Sequence, residues 1–357
     1  MKHFRKILLA SVGPTVALIL SFIIGGILIY AIGRDPLQVY GRFLDETLGN
    51  WYGIGQVLFK ATPLIFTGLS AAVGFRAGLF NIGAEGQLTI GAFLTALVGF
   101  EFQWLPGLLL IPLCLVAGMA GGAIWGFVPG ILKARFGAHE VINTIMMNFI
   151  ASALVSYLVS NVFLVPATVH TPQIAQSAYL PRLDSILESL RGAPVNAALF
   201  LAVLTAVFMY YFLTRTRPGY ELRAVGSNPN AGEYGGINVR KKIIMTMTMA
   251  GGIAGLVGSN FVMGYKHYFE LGFSEGAGFI GIAAALLARN NPLGVILTSV
   301  FFGILEYGSL TINTLVPKEL ANILQAIVII FIIVITKLTD YWVTEIQRRS
   351  MLVNDHV

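Results

Sequence analysis

The sequence predicts an all-α polytopic membrane protein with about ten transmembrane helices, some of them short and broken. Of its 357 residues, 56% are hydrophobic and only 11% are charged, whereas soluble domains carry about 25% charged residues. Apolar runs long enough to span a bilayer recur along the whole chain. A transmembrane β-barrel would instead show alternating segments of about 10 residues. We therefore expect a single transmembrane domain over residues 1–357.

The apolar runs give the bounds of the expected spans. The first run follows Lys2, Arg5 and Lys6. It is too long for the hydrophobic region of a signal peptide and lacks a small-residue cleavage site, so we interpret it as an anchor. Residues 33–50 have apolar side chains at helical spacing among charged ones, which predicts an amphipathic surface helix. The ten predicted spans are 7–32, 52–74, 76–100, 108–132, 141–165, 197–213, 243–263, 276–287, 293–310 and 320–335.

Two polar segments and the distribution of basic residues indicate the orientation. Ten spans place both termini on one side, and a cytoplasmic N-terminus puts most lysines and arginines in the cytoplasm. We therefore expect cytoplasmic termini, an extracytoplasmic segment at 166–196 with a short helix over 183–190, and a cytoplasmic coupling loop at 214–242. The net charge of +6 then reflects membrane orientation, and no nucleic acid is expected as a partner.

The third span opens with an unusually polar, glycine-rich stretch that carries Asn81, Glu85 and Gln87. A carboxylate in hydrocarbon costs roughly 3 kcal/mol or more, so Glu85 is expected to face protein or a water-filled cavity. One interpretation is that these three residues line a translocation path. The other is structural: Glu85 binds backbone amides at a helix start or the nearby Arg76, and the two amides cap helices.

Other polar or aromatic residues allow the same two interpretations. Asn148 in the fifth span either lines the path or forms an interhelical hydrogen bond. Phe273, Glu275 and Phe279 belong either to an outer aromatic belt or to an outer mouth that stacks on a planar or sugar-bearing solute. Short, broken segments at 83–91 and 276–294 indicate an internal repeat with a path between the halves.

The cytoplasmic loop contains a complete set of helix signals. Ser227 and Asn228 are good N-caps, Pro229 suits the first helical position, and Gly235 with Gly236 ends a helix. A helix of about two turns is therefore predicted, either as a plain surface helix or as a docking element for a cytoplasmic partner. The residues predicted to couple to that partner are Arg223, Ser227, Asn228, Pro229, Asn230, Glu233 and Gly236.

Several motifs that would indicate other functions are missing. The chain has no Gly-Lys-Ser/Thr phosphate loop and no His-Glu-x-x-His motif. The single cysteine, Cys114, lies in an apolar run and offers neither a disulfide nor a metal cluster. We therefore expect no catalytic residue, no metal site and no cofactor bound by this chain.

Four stretches together resemble the permease subunits of bacterial ABC importers. They are 80–87 (Phe-Asn-Ile-Gly-Ala-Glu-Gly-Gln), 140–148 (Glu-Val-Ile-Asn-Thr-Ile-Met-Met-Asn), 223–231 (Arg-Ala-Val-Gly-Ser-Asn-Pro-Asn-Ala) and 281–294 (Gly-Ile-Ala-Ala-Ala-Leu-Leu-Ala-Arg-Asn-Asn-Pro-Leu-Gly). The group that they resemble is the branched-chain amino-acid/ribose permease family, in its nucleoside-uptake branch. The resemblance extends from about residue 63 to 335.

The resemblance implies a set of partners. The chain is expected to pair with a second permease, as a heterodimer in the bacterial cytoplasmic membrane. An ATPase that uses ATP is expected to dock at 227–236, and an extracytoplasmic binding protein, often a lipoprotein, to deliver a nucleoside. An importer for riboflavin or a sugar is the alternative within this class. An ion-coupled secondary transporter, with Glu85 as the coupling acid, is the alternative from another class.

Overall fold

The computed structural model describes residue 16, residues 19–317 and residues 322–323, 326–327, 329–331, 334–335 and 338. Within this part of the chain the structure is helical, and the extended backbone forms two isolated β-bridges and no strand. The described helices are α1 (Ile19–Ala31), α2 (Pro36–Thr47), α3 (Trp51–Arg76), α4 (Ala84–Glu101), α5 (Gly107–Phe136), α6 (Glu140–Tyr157), α7 (Ala198–Arg215), α8 (Arg217–Ser227), α9 (Pro229–Tyr234), α10 (Val239–Gly255), α11 (Ala277–Leu287) and α12 (Pro292–Thr311).

The chain divides into two compact units. One consists of residues up to 49 and from 305 onward, and the other of residues 50–304. In the first unit, Tyr40 in α2 donates its hydroxyl to the carbonyl of Phe22 at 2.7 Å. The ring of Phe43 lies where a side chain at Gly308 would have to be. The Phe43 ring therefore occupies the space that the absence of a side chain at Gly308 leaves. This close contact fixes how α2 packs in this unit.

Six described helices are long and apolar enough to cross a membrane. They correspond to the predicted second, fourth, fifth, sixth, seventh and ninth spans. The predicted third span, α4, is not among them, because Glu85 and Gln87 lower its apolar character, and the eighth, α11, is only 11 residues long. The first predicted span is described at residue 16 and from residue 19 onward, and the tenth at nine of its 16 residues, namely 322–323, 326–327, 329–331 and 334–335.

Two of the long spans continue into wider π-helical turns. α6 continues as Leu158–Val162, and a π-helical turn at Ser259–Lys266 follows the end of α10. Single-turn π segments inside helices occur frequently at functional sites. The second π-helical turn contains Asn260, which is 1% exposed. Its Nδ2 donates to the carbonyl of Phe59 at 3.3 Å.

That hydrogen bond explains how α3 tolerates a proline in its interior. Pro63 has no N–H to give to the carbonyl of Phe59 four residues earlier. Asn260 supplies the missing donor from a neighbouring segment, and Asn196 donates in turn to Asn260 Oδ1 at 3.1 Å. Because α3 is buried along most of its length, an unsatisfied carbonyl there would be costly. The proline is therefore compatible with a packed membrane bundle.

Glycines bring α5 and α10 into direct backbone contact. Gly118, Gly122 and Gly126 of α5 face Gly251 and Gly255 of α10. A Cβ at any of the last four would collide with the opposite helix, and a Cβ at Gly118 would lie 3.0 Å from the Gly255 carbonyl. Small residues at such seams let helices associate closely in lipid, where apolar side chains alone give no driving force. α5 therefore packs tightly against α10.

Two sequence-based assignments need correction. The predicted helix at 183–190 is two separate 3₁₀ turns, Leu183–Ser185 and Glu188–Leu190. The 214–242 segment is not a loop with one short helix, because α8 occupies its first half and α10 begins at Val239. Thr216 caps α8 by accepting from the Gly219 amide at 3.2 Å, and Arg217-Pro218 then starts the helix rather than ending the previous one.

Candidate functional site

The start of α4 is held by a side chain from another helix. Gly83 precedes the helix and offers no side-chain cap. Asn148 of α6 supplies one: its Oδ1 accepts from the amide of Gly86 at 2.8 Å, and its Nδ2 donates to the carbonyl of Ile82 at 3.0 Å. A helix N-terminus leaves amides without partners, so Asn148 satisfies one of them from α6. Both polar atoms of Asn148 are therefore used in joining two helices.

Asn81 and Gln87 form a reciprocal amide pair. Asn81 Nδ2 donates to Gln87 Oε1 at 3.0 Å, and Gln87 Nε2 donates to Asn81 Oδ1 at 3.2 Å. Asn81 Oδ1 also accepts from the amide of Gly83 at 3.0 Å. Both side chains are 1% exposed. Buried amides satisfied in this way rigidify a turn, and this pair shapes the approach to α4 without facing open space.

Glu85 joins α4 to the segment that opens α11. Its Oε2 accepts from the amide of Gly278 at 2.8 Å, and its Oε1 accepts from the hydroxyl of Ser274 at 2.5 Å. The carboxylate thus lies at the N-terminus of α11, where the helix dipole favours negative charge. Arg76 is not its partner, because Arg76 Nε donates to the carbonyl of Asn290 at 3.0 Å. The sequence left two structural partners open for Glu85, backbone amides at a helix start or Arg76. The structure shows the first, with the Gly278 amide as the donor.

Glu85 also borders a cavity of about 200 Å³. α4 and α6 line one part of it, and the segment before α11 lines the rest. The lining combines a carboxylate, an amide and hydroxyls with apolar and aromatic groups. Its residues are Glu85, Thr89, Asn148, Ser152, Val155, Ser156, Phe269, Leu271, Gly272, Phe273 and Ser274. Polar groups gathered in a concave, partly apolar surface are typical of small-molecule sites.

The structure brings together only some of the residues that the sequence singled out. Glu85, Asn148 and Phe273 line the one cavity. Glu275 is exposed and forms an ion pair with Lys60 at 2.8 Å, and Phe279 is 50% exposed. The role of all five residues in a solute path stays a prediction. Glu85, Asn148 and Phe273 share a location, because they line the same cavity.

Sequence reasoning missed the three serines of this cavity, Ser152, Ser156 and Ser274. Ser152 and Ser156 follow Asn148 at intervals of four, so all three lie on one face of α6. That spacing could have predicted from the sequence that the two serines lie beside Asn148. Ser274 gave none, because its contact with Glu85 joins residues that are 189 positions apart.

The segment 214–242 contains a short capped helix packed against its neighbours. Asn228 caps α9 by accepting from the amide of Ala231 at 3.1 Å, Pro229 is its first residue, and Gly236 has φ +78°. The helix signals in this stretch are therefore confirmed, although the cap is Asn228, whereas Ser227 ends α8. Asn230 and Glu233 are exposed on α9, and Arg223 lies half-buried on α8.

An ion-pair cluster fixes α8 to α10. Glu221 accepts from Lys242 Nζ at 2.6 Å and from Arg217 Nε at 2.9 Å. The hydrogen bond from Lys242, then the one from Arg217, holds the pKa of Glu221 below its ordinary value. Gly226, near the end of α8, lies against the backbone of Arg76 and Ala77, at the turn between α3 and α4. α8 therefore contacts the turn that leads into the Glu85 stretch.

Comparison with known proteins agrees with the resemblance stated from the sequence. A family model described as branched-chain amino acid transport system / permease component matches residues 53–333. The guanosine ABC transporter permease protein NupP of Bacillus subtilis is 40% identical over 324 residues, which is 89% of this chain and 92% of that protein. The nucleoside ABC transporter permease protein NupB of Lactococcus lactis is 35% identical, over 92% of this chain and 91% of that protein.

A relative named for a different substrate is nearly as similar to this chain as the two nucleoside permeases are. The glucose ABC transporter permease protein TsgB13 of Haloferax volcanii is 35% identical over 90% of this chain and 86% of that protein. The chain also matches a second permease from each of two of these organisms. NupQ of Bacillus subtilis is 29% identical, and NupC of Lactococcus lactis is 28% identical. Related ABC permeases thus occur as pairs. No solved structure matches the chain.

The family match covers most of the chain, and the structure contains six helices able to cross a membrane. The chain therefore belongs to the family of branched-chain amino acid transport system permease components and is a multi-pass protein of the inner membrane.

Proposed function

We propose that this chain is the permease subunit of an ABC importer that translocates purine or pyrimidine nucleosides. The observation that carries the proposal is its 40% identity with a guanosine permease over 89% of the chain. The cavity beside Glu85 supports it, since carboxylate, amide and hydroxyl groups suit a hydroxyl-bearing solute. A sugar importer is the second candidate, because a glucose permease is 35% identical.

The energy comes from a separate ATPase subunit, and this chain binds no cofactor itself. The ATPase docks on the segment 227–236, where α9 is short, capped and exposed. Arg223, Ser227, Asn228, Pro229, Asn230, Glu233 and Gly236 are the residues assigned to this coupling. The contact of Gly226 with Arg76 and Ala77 offers a mechanical route from the docked ATPase to the turn before α4.

The remaining partners follow from the family. A second, related permease completes a heterodimer, in keeping with the paired relatives of this chain. An extracytoplasmic binding protein delivers the solute to the outer mouth, where Glu275 and Phe279 are exposed.

The chain forms one permease domain over residues 1–357 with ten spans and both termini in the cytoplasm. Residues 166–196 lie outside and residues 214–242 inside. A cysteine introduced at Asn230 should therefore react with impermeant reagents only from the cytoplasmic side.

The test of the substrate is uptake by the assembled complex. Proteoliposomes that contain both permeases, the ATPase and the binding protein should accumulate labelled guanosine when ATP is supplied to the ATPase side. Excess unlabelled adenosine should compete, whereas riboflavin and glucose should not. Competition by glucose alone would favour the sugar importer. Uphill uptake driven by an ion gradient without ATPase or nucleotide would favour the secondary transporter instead.

The test of coupling is a pair of variants in α9. Pro229→Gly combined with Gly232→Pro removes the helix start and the hydrogen bond from the Gly232 amide to the Asn228 carbonyl, which spans 3.0 Å. Uptake should be abolished at normal membrane levels. Gly232→Ala is the matched control, because its added Cβ would lie at an ordinary 3.4 Å from Val225 Cγ2. Unchanged uptake by the double variant would refute the coupling role.

A further inference from the structure

Two hydroxyl groups of the cavity beside Glu85 stand out because they have no partner in the described part of the chain. The other two hydroxyls of the cavity have partners: Thr89 donates to the carbonyl of Glu85 at 2.7 Å, and Ser274 donates to the Glu85 carboxylate. Asn148 uses both polar atoms at the start of α4. Ser152 and Ser156 border the same cavity, are exposed, and make no hydrogen bond with a described residue.

These two serines line the same cavity as a carboxylate that can still accept hydrogen bonds. Each oxygen of Glu85 accepts one bond, from Ser274 or from Gly278. A carboxylate has about four acceptor positions, so about half of its capacity remains. The available polar groups are thus two hydroxyls, which donate and accept, and one carboxylate, which only accepts.

The size and composition of the cavity fit one part of a nucleoside. Its volume of about 200 Å³ is below the roughly 300–1,000 Å³ of sites that enclose a whole small molecule. Of the two rings in the lining, Phe269 is 1% exposed, and the half-buried Phe273 is already in edge-to-face contact with Phe261 and Phe269 at centroid distances of 5.0 and 5.2 Å. The lining therefore leaves little free ring face on which a base could stack. The negative charge of Glu85 disfavours a phosphate. Neighbouring sugar hydroxyls satisfy all three groups, because they donate to the carboxylate and exchange hydrogen bonds with the serines.

We infer that this cavity holds the sugar of the nucleoside, and that Ser152 and Ser156 make the permease prefer ribose to 2′-deoxyribose. The inference rests on the proposed function and names the part of the solute that this site binds. A neutral hydrogen bond contributes a factor of roughly 2 to 10 in binding. Removing both serine hydroxyls should therefore lower the preference by about that factor or slightly more.

The experiment compares ratios, so that the preference of the binding protein cancels. Proteoliposomes with the whole complex and one preparation of binding protein are given labelled guanosine or 2′-deoxyguanosine. In the variant Ser152→Ala with Ser156→Ala, guanosine uptake should fall while 2′-deoxyguanosine uptake stays close to that of the unmodified complex. The ratio of the two uptakes should thus fall roughly 2- to 10-fold. The single variants Ser152→Ala and Ser156→Ala should each give a smaller fall, and they serve as the test if the double variant does not reach the membrane.

Ser160→Ala is the matched control, because Ser160 is an exposed serine in the turn that continues α6 and does not line the cavity. Its ratio should equal that of the unmodified complex. An unchanged ratio in the serine variants, with both nucleosides taken up, would overturn the sugar site alone. Uptake of neither nucleoside by the unmodified complex would overturn the proposed function together with it.

Discussion

The backbone amide of Gly278 donates to Glu85 Oε2 at 2.8 Å, and no side chain fits between the two residues. A Cβ at position 278 would lie 2.5 Å from the amide nitrogen of Glu85 and 2.7 Å from its Oε2. The starts of α4 and α11 therefore meet through a carboxylate on one side and a bare backbone on the other. Because α11 presents its N-terminus there, the dipole of the helix stabilises the charge of Glu85.

Replacing Gly278 should disrupt this junction. Gly278→Ala places a methyl group against backbone atoms that cannot move independently, and such overpacking costs typically 1–3 kcal/mol. We expect a lower thermal stability of the purified permease and a loss of most nucleoside uptake. Gly41→Ala is the control, since a Cβ there meets nothing within 4 Å. Equal stability and uptake in the two variants would contradict the tight junction.

The sequence predicted the helices better than it predicted their contacts. Apolar runs and caps are local signals, so α3, α5 and α9 lie close to their expected positions. The polarity of Glu85 also predicted that it would face protein or a cavity, because the energetic cost of a carboxylate in lipid holds whatever the fold.

The partners of the polar residues could not be obtained in this way. The role of Asn148 depends on the distance between α6 and the start of α4, and Ser274 reaches Glu85 across 189 positions of sequence. Such contacts follow from tertiary packing, for which a single sequence offers no spacing rule. The 3₁₀ turns at 183–190 show the same limit, because Leu183 and Leu190 are buried in a cluster with Phe59 of α3, and that packing overrides the helical pattern of the segment.

The glycine seam between α5 and α10 gives a second prediction. A Cβ at Gly251 would collide with the Gly122 carbonyl and lie 3.1 Å from the Gly126 Cα. Gly251→Ala should therefore separate the helices and lower the temperature at which the protein unfolds in detergent. Gly252→Ala, one residue along, is the control, because its nearest neighbour is the flexible Met119 side chain at 3.3 Å. If Gly251→Ala and Gly252→Ala lowered the unfolding temperature equally, the loss of stability could not be attributed to the contact between α5 and α10.

The contact at the end of α8 gives a third prediction, which concerns coupling. A Cβ at Gly226 would collide with the carbonyl of Arg76 and lie 2.8 Å from the carbonyl carbon of Ala77. Gly226→Ala should push α8 away from the turn between α3 and α4. In the complex, we expect ATP hydrolysis to continue while uptake falls several-fold. Gly26→Ala, whose Cβ would meet no atom closer than 3.7 Å, should keep both activities. Parallel loss of hydrolysis and uptake in Gly226→Ala would indicate failed assembly rather than failed coupling.

The fourth prediction starts from the environment of His267, which follows the π-helical turn at Ser259–Lys266. Its ring stacks on Tyr179 with centroids 3.5 Å apart, and its backbone has φ +65°. Burial lowers the pKa of His267 below its ordinary value of 6.5, and the nearby Arg182 lowers it further. Lys266 and Glu270 pair with each other at 3.3 Å, so the acid closest in sequence is already engaged by a cation. The folded protein therefore favours neutral His267.

The pH dependence of stability follows from this shift. Above pH 6.5 the histidine is neutral in both folded and unfolded chains, so it adds no slope. As the pH falls through 6.5, the unfolded chain takes up a proton that the folded chain resists, and stability falls until the pH passes the folded pKa. Thermal unfolding between pH 8 and pH 5 measures this loss. His267→Asn removes the titration and tolerates the left-handed backbone, so the difference between the variant and the unmodified protein should change with pH in this window. A constant difference would show that His267 is not responsible.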